Sequence, residues 1–180
     1  MNNRIITKVA YHESGHAFMA SSCGFKVNKI KLYADDSGSG YTDIDYLGHK
    51  NLINTLLDFK GKEDYFAGLP SFIKKNSLSL AQRMCQIIYA GPIAQGVYEL
   101  DELVKDKIDG VDLLHMNSLL YFYDHLKSSY SLEKLSKENF VESNFNCAHQ
   151  VIIGNWEKIK KIAENLLNTS DFQLNDIEIV

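Results

Sequence analysis

The chain contains no G-x-x-x-x-G-K-[ST] segment, so it lacks the glycine-rich cradle that holds nucleotide phosphates in P-loop ATPases. No apolar run approaches the roughly 20 residues needed to cross a bilayer, and the first residues carry no signal-peptide pattern. Together these absences predict a soluble, cytoplasmic protein with no membrane span. Positive charge is also scarce: 19 Lys and Arg stand against 23 Asp and Glu, a net charge of −4. Nucleic acid is therefore excluded as the main partner, because phosphate binding needs a concentrated positive surface. Lys158, Lys160 and Lys161 read instead as the solvated face of a helix. Cys23, Cys85 and Cys147 are odd in number, far apart and without C-x-x-C spacing, which points to free core thiols rather than ligands or disulfides. Prolines number 2, and no Pro/Gly/Ser-rich linker, repeat or low-complexity tract divides the 180 residues. With 45% hydrophobic content the chain can bury one sizeable core, and residues 1–180 are expected to form one domain.

Periodicity predicts a mainly α protein with one small β hairpin. An apolar stripe of Ile5, Ile6, Val9, Ala10, Ala17, Phe18 and Ala20 marks a helix from Arg4 to Cys23, closed by Gly24. Val27–Tyr33 and Tyr41–Tyr46 have strand character, with a turn at Asp35–Gly40 between them. Further helices are expected over Asn51–Phe59, Ser79–Leu100, Asp112–Lys127 and Lys137–Asn168. Gly91-Pro92 should bend or restart the second of these, and Gly154 should interrupt the last. The segment from Gly61 to Pro70 reads as a loop. The aromatic run Leu120-Tyr121-Phe122-Tyr123 fits core better than interface.

Within the first helix lies His12-Glu13-Ser14-Gly15-His16. Residues four apart share a helix face, so the imidazoles of His12 and His16 can converge on one ion, with Glu13 about 100° round the helix beside it. Two rigidly held nitrogen ligands and a carboxylate placed to take a proton from an activated water suit a hydrolytic zinc (Zn2+) centre. Gly15 would let another segment approach closely.

Such a centre needs a third protein ligand. The extended pattern H-E-x-x-H-x-x-G-x-x-H would require Gly and His where Met19 and Ser22 stand, which excludes that class. The next glutamate after Glu13 is Glu63, in the loop. The acid-rich stretch from Glu99 to Asp112 supplies Asp101, Glu102, Asp106 and Asp109 as well as its two ends, and Asp112 opens a well-patterned helix. Asp109 and Asp112 also fit an N-cap and a first-turn acid that serve helix stability alone. His49, His115, His125 and His149 are rivals without a partner at ligand spacing.

The segment Ala10-Tyr11-His12-Glu13-Ser14-Gly15-His16-Ala17 resembles the zinc helix of the FtsH family of ATP-dependent metalloproteases, worded A-x-H-E-A-G-H-A. Lys29-Ile30-Lys31-Leu32 with Gly40-Tyr41-Thr42 resembles the strand pair and G-Y-T turn that follow it there. Tyr89-Ala90-Gly91-Pro92-Ile93-Ala94 is similar to that family's A-G-R-A-A-type helix, and Gly110-Val111-Asp112-Leu113 falls where the family has an aspartate ligand opening a helix. The resemblance implies an FtsH-type peptidase fold with His12, His16 and Asp112 as zinc ligands and Glu13 as general base. Departures are equally specific: the ATPase module and the membrane anchors are missing, Gln95-Gly96 replaces an acidic pair, and the spacing ahead of Asp112 is shorter.

The expected activity is thus ATP-independent hydrolysis of peptide bonds in flexible or unfolded polypeptides by a zinc metalloendopeptidase, with an extended substrate on an exposed edge of the hairpin. The alternative is a binding or adaptor module that keeps the peptidase fold, with or without zinc, and has no useful turnover. A third reading is a metal-free helical interaction protein. Oligomerisation into a ring follows only by analogy with the family.

Overall fold

A computed structural model describes residues 3–33, 38–100, 108–130, 136–169 and 171–172. Among these the chain is mainly helical, as its periodicity predicts. The elements in order are α1 (Asn3–Ser22), β1 (Lys26–Leu32), β2 (Gly40–Asp45), α2 (Lys50–Leu57), α3 (Glu63–Ala67), α4 (Ser71–Glu99), α5 (Gly110–Tyr130), α6 (Lys137–Gly154), α7 (Trp156–Thr169) and β3 (Asp171–Phe172). No described helix is long and apolar enough to cross a membrane.

Helix α1 runs through the middle of the molecule. From Ala10 to Ala20 every residue except His12 is buried, because α4, α7 and the sheet all pack on it. Helix α4 comes close to it at Gly15, where a Cβ would clash with the Ala90 carbonyl oxygen. The missing side chain is what lets the two backbones meet. The helix ends in a Schellman arrangement, with Gly24 at φ 82° and bonds from Gly24 N to Ser21 O and from Phe25 N to Ala20 O. Phe25, just beyond it, is buried and fixes the exit of the chain into β1.

The hairpin forms where expected, pairing Lys31 with Tyr41 and Ile30 with Thr42, and it carries a bulge between Val27 and Lys29. A third strand, which local patterning does not signal, lies antiparallel on the other side of β1 and gives the order β2-β1-β3. One edge of the hairpin is therefore taken by the protein's own chain. The outer edge of β2 has no strand partner among the described residues.

Helix α4 corrects the expected start at Ser79 and shows no restart at Gly91-Pro92. It begins at Ser71, earlier than its periodicity suggests, and continues through Pro92 as one helix of 29 residues. Proline removes a single intrahelical bond and costs roughly 3 kcal/mol in an exposed helix. Here every residue from Ile87 to Ala94 is buried, so packing holds the helix across that fault. The Gly61–Pro70 segment likewise contains the short helix α3. At Gly154 the expected interruption does occur, separating α6 from α7.

Helix α5 is seated by an aromatic cluster. Phe59, Phe66 and Phe122 are buried, with ring centroids 5.0–5.6 Å apart and edge-to-face geometry. Ser118 bridges α2 and α5 by accepting from Phe59 N at 2.6 Å and donating to Leu56 O at 2.9 Å. Tyr123 also packs inward, whereas Tyr121 is 42% exposed and donates to Glu63. The aromatic run is thus largely core. Lys160 and Lys161 are exposed and Lys158 half-buried, in keeping with a solvated helix face. All three cysteines are free.

Candidate metal centre

The first residues of α5 are carried to the middle of α1. Nε2 of His12 lies 3.2 Å from Asp112 Oδ2, Nε2 of His16 lies 3.2 Å from the same oxygen, and the two Nε2 atoms are 2.9 Å apart. Donor atoms on a tetrahedral zinc, at about 2.0 Å from the ion, are spaced by about 3.3 Å, close to this triangle. His12, His16 and Asp112 are also the one group of three or more such residues that converges in this way among the described residues. Asp101, Glu102 and Asp106 lie outside the described residues. His49, His115, His125 and His149 are not part of the cluster, and Asp109 lines the same cleft without joining it.

The protonation pattern fits a cation at that point. His16 Nδ1 is 2.7 Å from the Ile87 carbonyl, which can only accept, so Nδ1 carries the hydrogen and Nε2 turns toward His12 and Asp112. Two imidazole nitrogens and a carboxylate oxygen that would otherwise repel one another can all be satisfied by a proton or a metal ion among them. With a proton in that role, burial pulls the His16 pKa down. The Asp112 charge and hydrogen bond, the Glu13 charge and the Ile87 carbonyl outweigh burial and lift it from 6.5 to about 9. Burial pushes the Asp112 carboxyl up, but the His16 charge and the bonds from both imidazoles hold it well below the ordinary carboxylate range.

The space around these three side chains is made by glycine. A Cβ on Gly91 would stand 2.4 Å from His16 Nε2 and 2.8 Å from His12 Nε2, so α4 can back the site only with hydrogen at that position. Glu13 is almost fully buried beside these residues, and Thr42 of β2 donates to its Oε2 at 2.7 Å. Gly40 presses against the same side chain, since a Cβ there would lie 2.8 Å from Glu13 Cγ. Glu13 Oε1 takes no hydrogen bond from a described residue and is not sealed from solvent.

These groups line one wall of an open cleft of about 670 Å³. Residues Gly38 to Thr42 line it beside Glu13, Gly110 to Asp112 and His115 line it from α5, and Met84, Ile87 and Ile88 contribute apolar surface. The residue spacing of α1 identified His12, Glu13 and His16. Local patterning marks Gly40 only as a turn residue, Thr42 only as a strand residue and Gly91 only as a helix fault, and the Ile87 carbonyl leaves no trace in a sequence. The chain matches no protein family model and no curated protein.

Proposed function

We propose that this chain is a zinc-dependent peptidase that cleaves flexible or unfolded polypeptide without ATP. The observation that carries this reading is the convergence of His12 Nε2, His16 Nε2 and Asp112 Oδ2 in a cleft that Glu13 also lines. His12, His16 and Asp112 would hold the ion. Zinc bound there would supply a Lewis acid for the scissile carbonyl and lower the pKa of the attacking water.

The remaining work falls to the chain's own residues. Glu13 Oε1 accepts a proton as the water oxygen adds to the carbonyl carbon, while Thr42 keeps Oε2 fixed. Glu13 then returns that proton to the amide nitrogen as the C–N bond breaks, releasing an amine and a carboxylic acid whose remaining proton passes to the amine at neutral pH, leaving carboxylate and ammonium. Proton count balances, and no serine or cysteine nucleophile is needed. Residues of β2 line the cleft, and its outer edge, free of a strand partner among the described residues, would offer backbone groups to an extended peptide, a mode of recognition that tolerates varied side chains. The likeness of residues 10–17 to the FtsH zinc helix supports the same chemistry.

A peptide library incubated with zinc-loaded protein tests the proposal. Cleavage by wild type that is lost in Glu13→Gln supports it. A zinc-loaded wild type that leaves the whole library intact favours the binding-module alternative instead.

A further inference from the structure

We infer that His115 is a further catalytic residue, donating a hydrogen bond to the substrate carbonyl oxygen as that oxygen gains negative charge; this rests on the peptidase reading. His115 follows Asp112 by three residues on α5, which places both on one face of the helix. It lines the same cleft as His12, His16 and Asp112, is only partly buried, and has no hydrogen-bond or ion-pair partner among the described residues.

The other histidines are committed elsewhere or lie away from the cleft. His12 and His16 belong to the ligand triangle, His125 packs against Phe59 and Phe66, and His149 stacks on Phe145. His49 precedes α2 and is exposed. The cleft's other strong donors are engaged as well: Lys8 is paired with Glu99, Gln95 donates to Glu99, and Thr42 donates to Glu13. Tyr41 and Tyr46 line the cleft from the hairpin side, the wall that also holds Thr42 against Glu13. His115 alone presents an uncommitted donor from the α5 wall, next to a ligand.

A donor aimed at developing charge stabilises the transition state more than the ground state, so its loss lowers kcat and leaves KM nearly unchanged. A phosphinic peptide, a tetrahedral anion resembling that state, reports the same interaction without turnover. Expected for His115→Ala is a fall in kcat of about 100-fold or more, unchanged zinc content, and a comparable loss of affinity for the phosphinic peptide. Binding of an intact substrate peptide, measured in the Glu13→Gln background, should weaken by less than about threefold if His115 acts only on the charged state. His115→Gln, which keeps an N–H donor, should recover part of both losses.

Equal weakening of both ligands, or a larger loss in Tyr46→Phe than in His115→Ala, would overturn the role. Unaltered kcat and phosphinic affinity in His115→Ala, with wild type active, would overturn it while leaving the peptidase reading intact. A zinc-loaded wild type that neither cleaves peptides nor binds the phosphinic peptide would sink both.

Discussion

Thr42 Oγ1 stands 2.7 Å from Glu13 Oε2, tying an edge strand to the acid of the central helix. The hydroxyl fixes which carboxylate oxygen is free. Thr42→Val keeps the shape and removes this bond, and the loss of one hydrogen bond to a charged group costs about 1.5–3 kcal/mol. Activity should fall about 3- to 13-fold if half of that is felt in the transition state. Zinc content should be unchanged. Steady-state kinetics beside metal analysis checks this, and an unchanged kcat would show that Glu13 is held by other means.

Gly91 leaves no room for a side chain against the two imidazoles. Gly91→Ala should therefore displace at least one ligand, reducing zinc affinity by about 10-fold or more, the scale seen when ligand orientation is disturbed. Overpacking should also cost about 1–3 kcal/mol of stability. Gly15→Ala presses instead on the Ala90 carbonyl and should destabilise the α1–α4 contact. Competitive zinc titration and thermal melting of the two variants read these effects. Wild-type zinc affinity in Gly91→Ala would contradict the account.

His16 and Asp112 make the metal-free chain pH-sensitive. The His16 pKa rises from 6.5 to about 9, so its stabilising contribution is complete below 6.5 and is lost as pH climbs through about 9. Asp112 is depressed from 3.8, so its contribution is complete above that value and is lost as pH falls through its folded value. From this pair, chelator-treated protein should be most stable between 3.8 and 6.5, with Tm declining from pH 7 to 9. Asp112→Asn removes the negative partner and should flatten that decline. Zinc competes with the same protons, so its affinity should increase across this alkaline range. A Tm of the metal-free wild type that rises from pH 7 to 9 would oppose the assignment.

Burial pushes the Cys85 thiol up to about 12, and it pushes Cys23 to about 11 against the pull of Arg83. Neither forms appreciable thiolate at pH 8. An aromatic disulfide reagent should therefore react slowly with Cys23 and not at all with Cys85 in the native protein. In denaturant it should titrate all 3 cysteines. Rapid native modification of Cys85, or release of zinc on partial labelling, would place a thiol where none is expected.

What the sequence made legible follows the range of the interactions. Helix α1, its glycine stop and the break at Gly154 depend on neighbours a few residues apart, and they stand where periodicity put them. The passage of α4 through Pro92 depends on burial by distant elements, which a local proline rule does not register. Strand β3 is only two residues long and exists through its pairing with Ile30 and Lys31. At the site, spacing alone revealed one helix face. It could not separate Asp112 as helix acid from Asp112 as ligand, because both readings occupy the same first turn; what the structure adds is the 3.2 Å approach of its Oδ2 to both imidazoles. Thr42 and Ile87 act through one hydroxyl and one carbonyl, groups with no pattern of their own.

The most direct measurement is anomalous diffraction at the zinc absorption edge from crystals of protein equilibrated with zinc. The account requires one peak per chain, within about 2.0–2.2 Å of His12 Nε2, His16 Nε2 and an Asp112 carboxylate oxygen. The absence of a peak there, or a zinc ion held by other residues while these three bond only to one another, would contradict it.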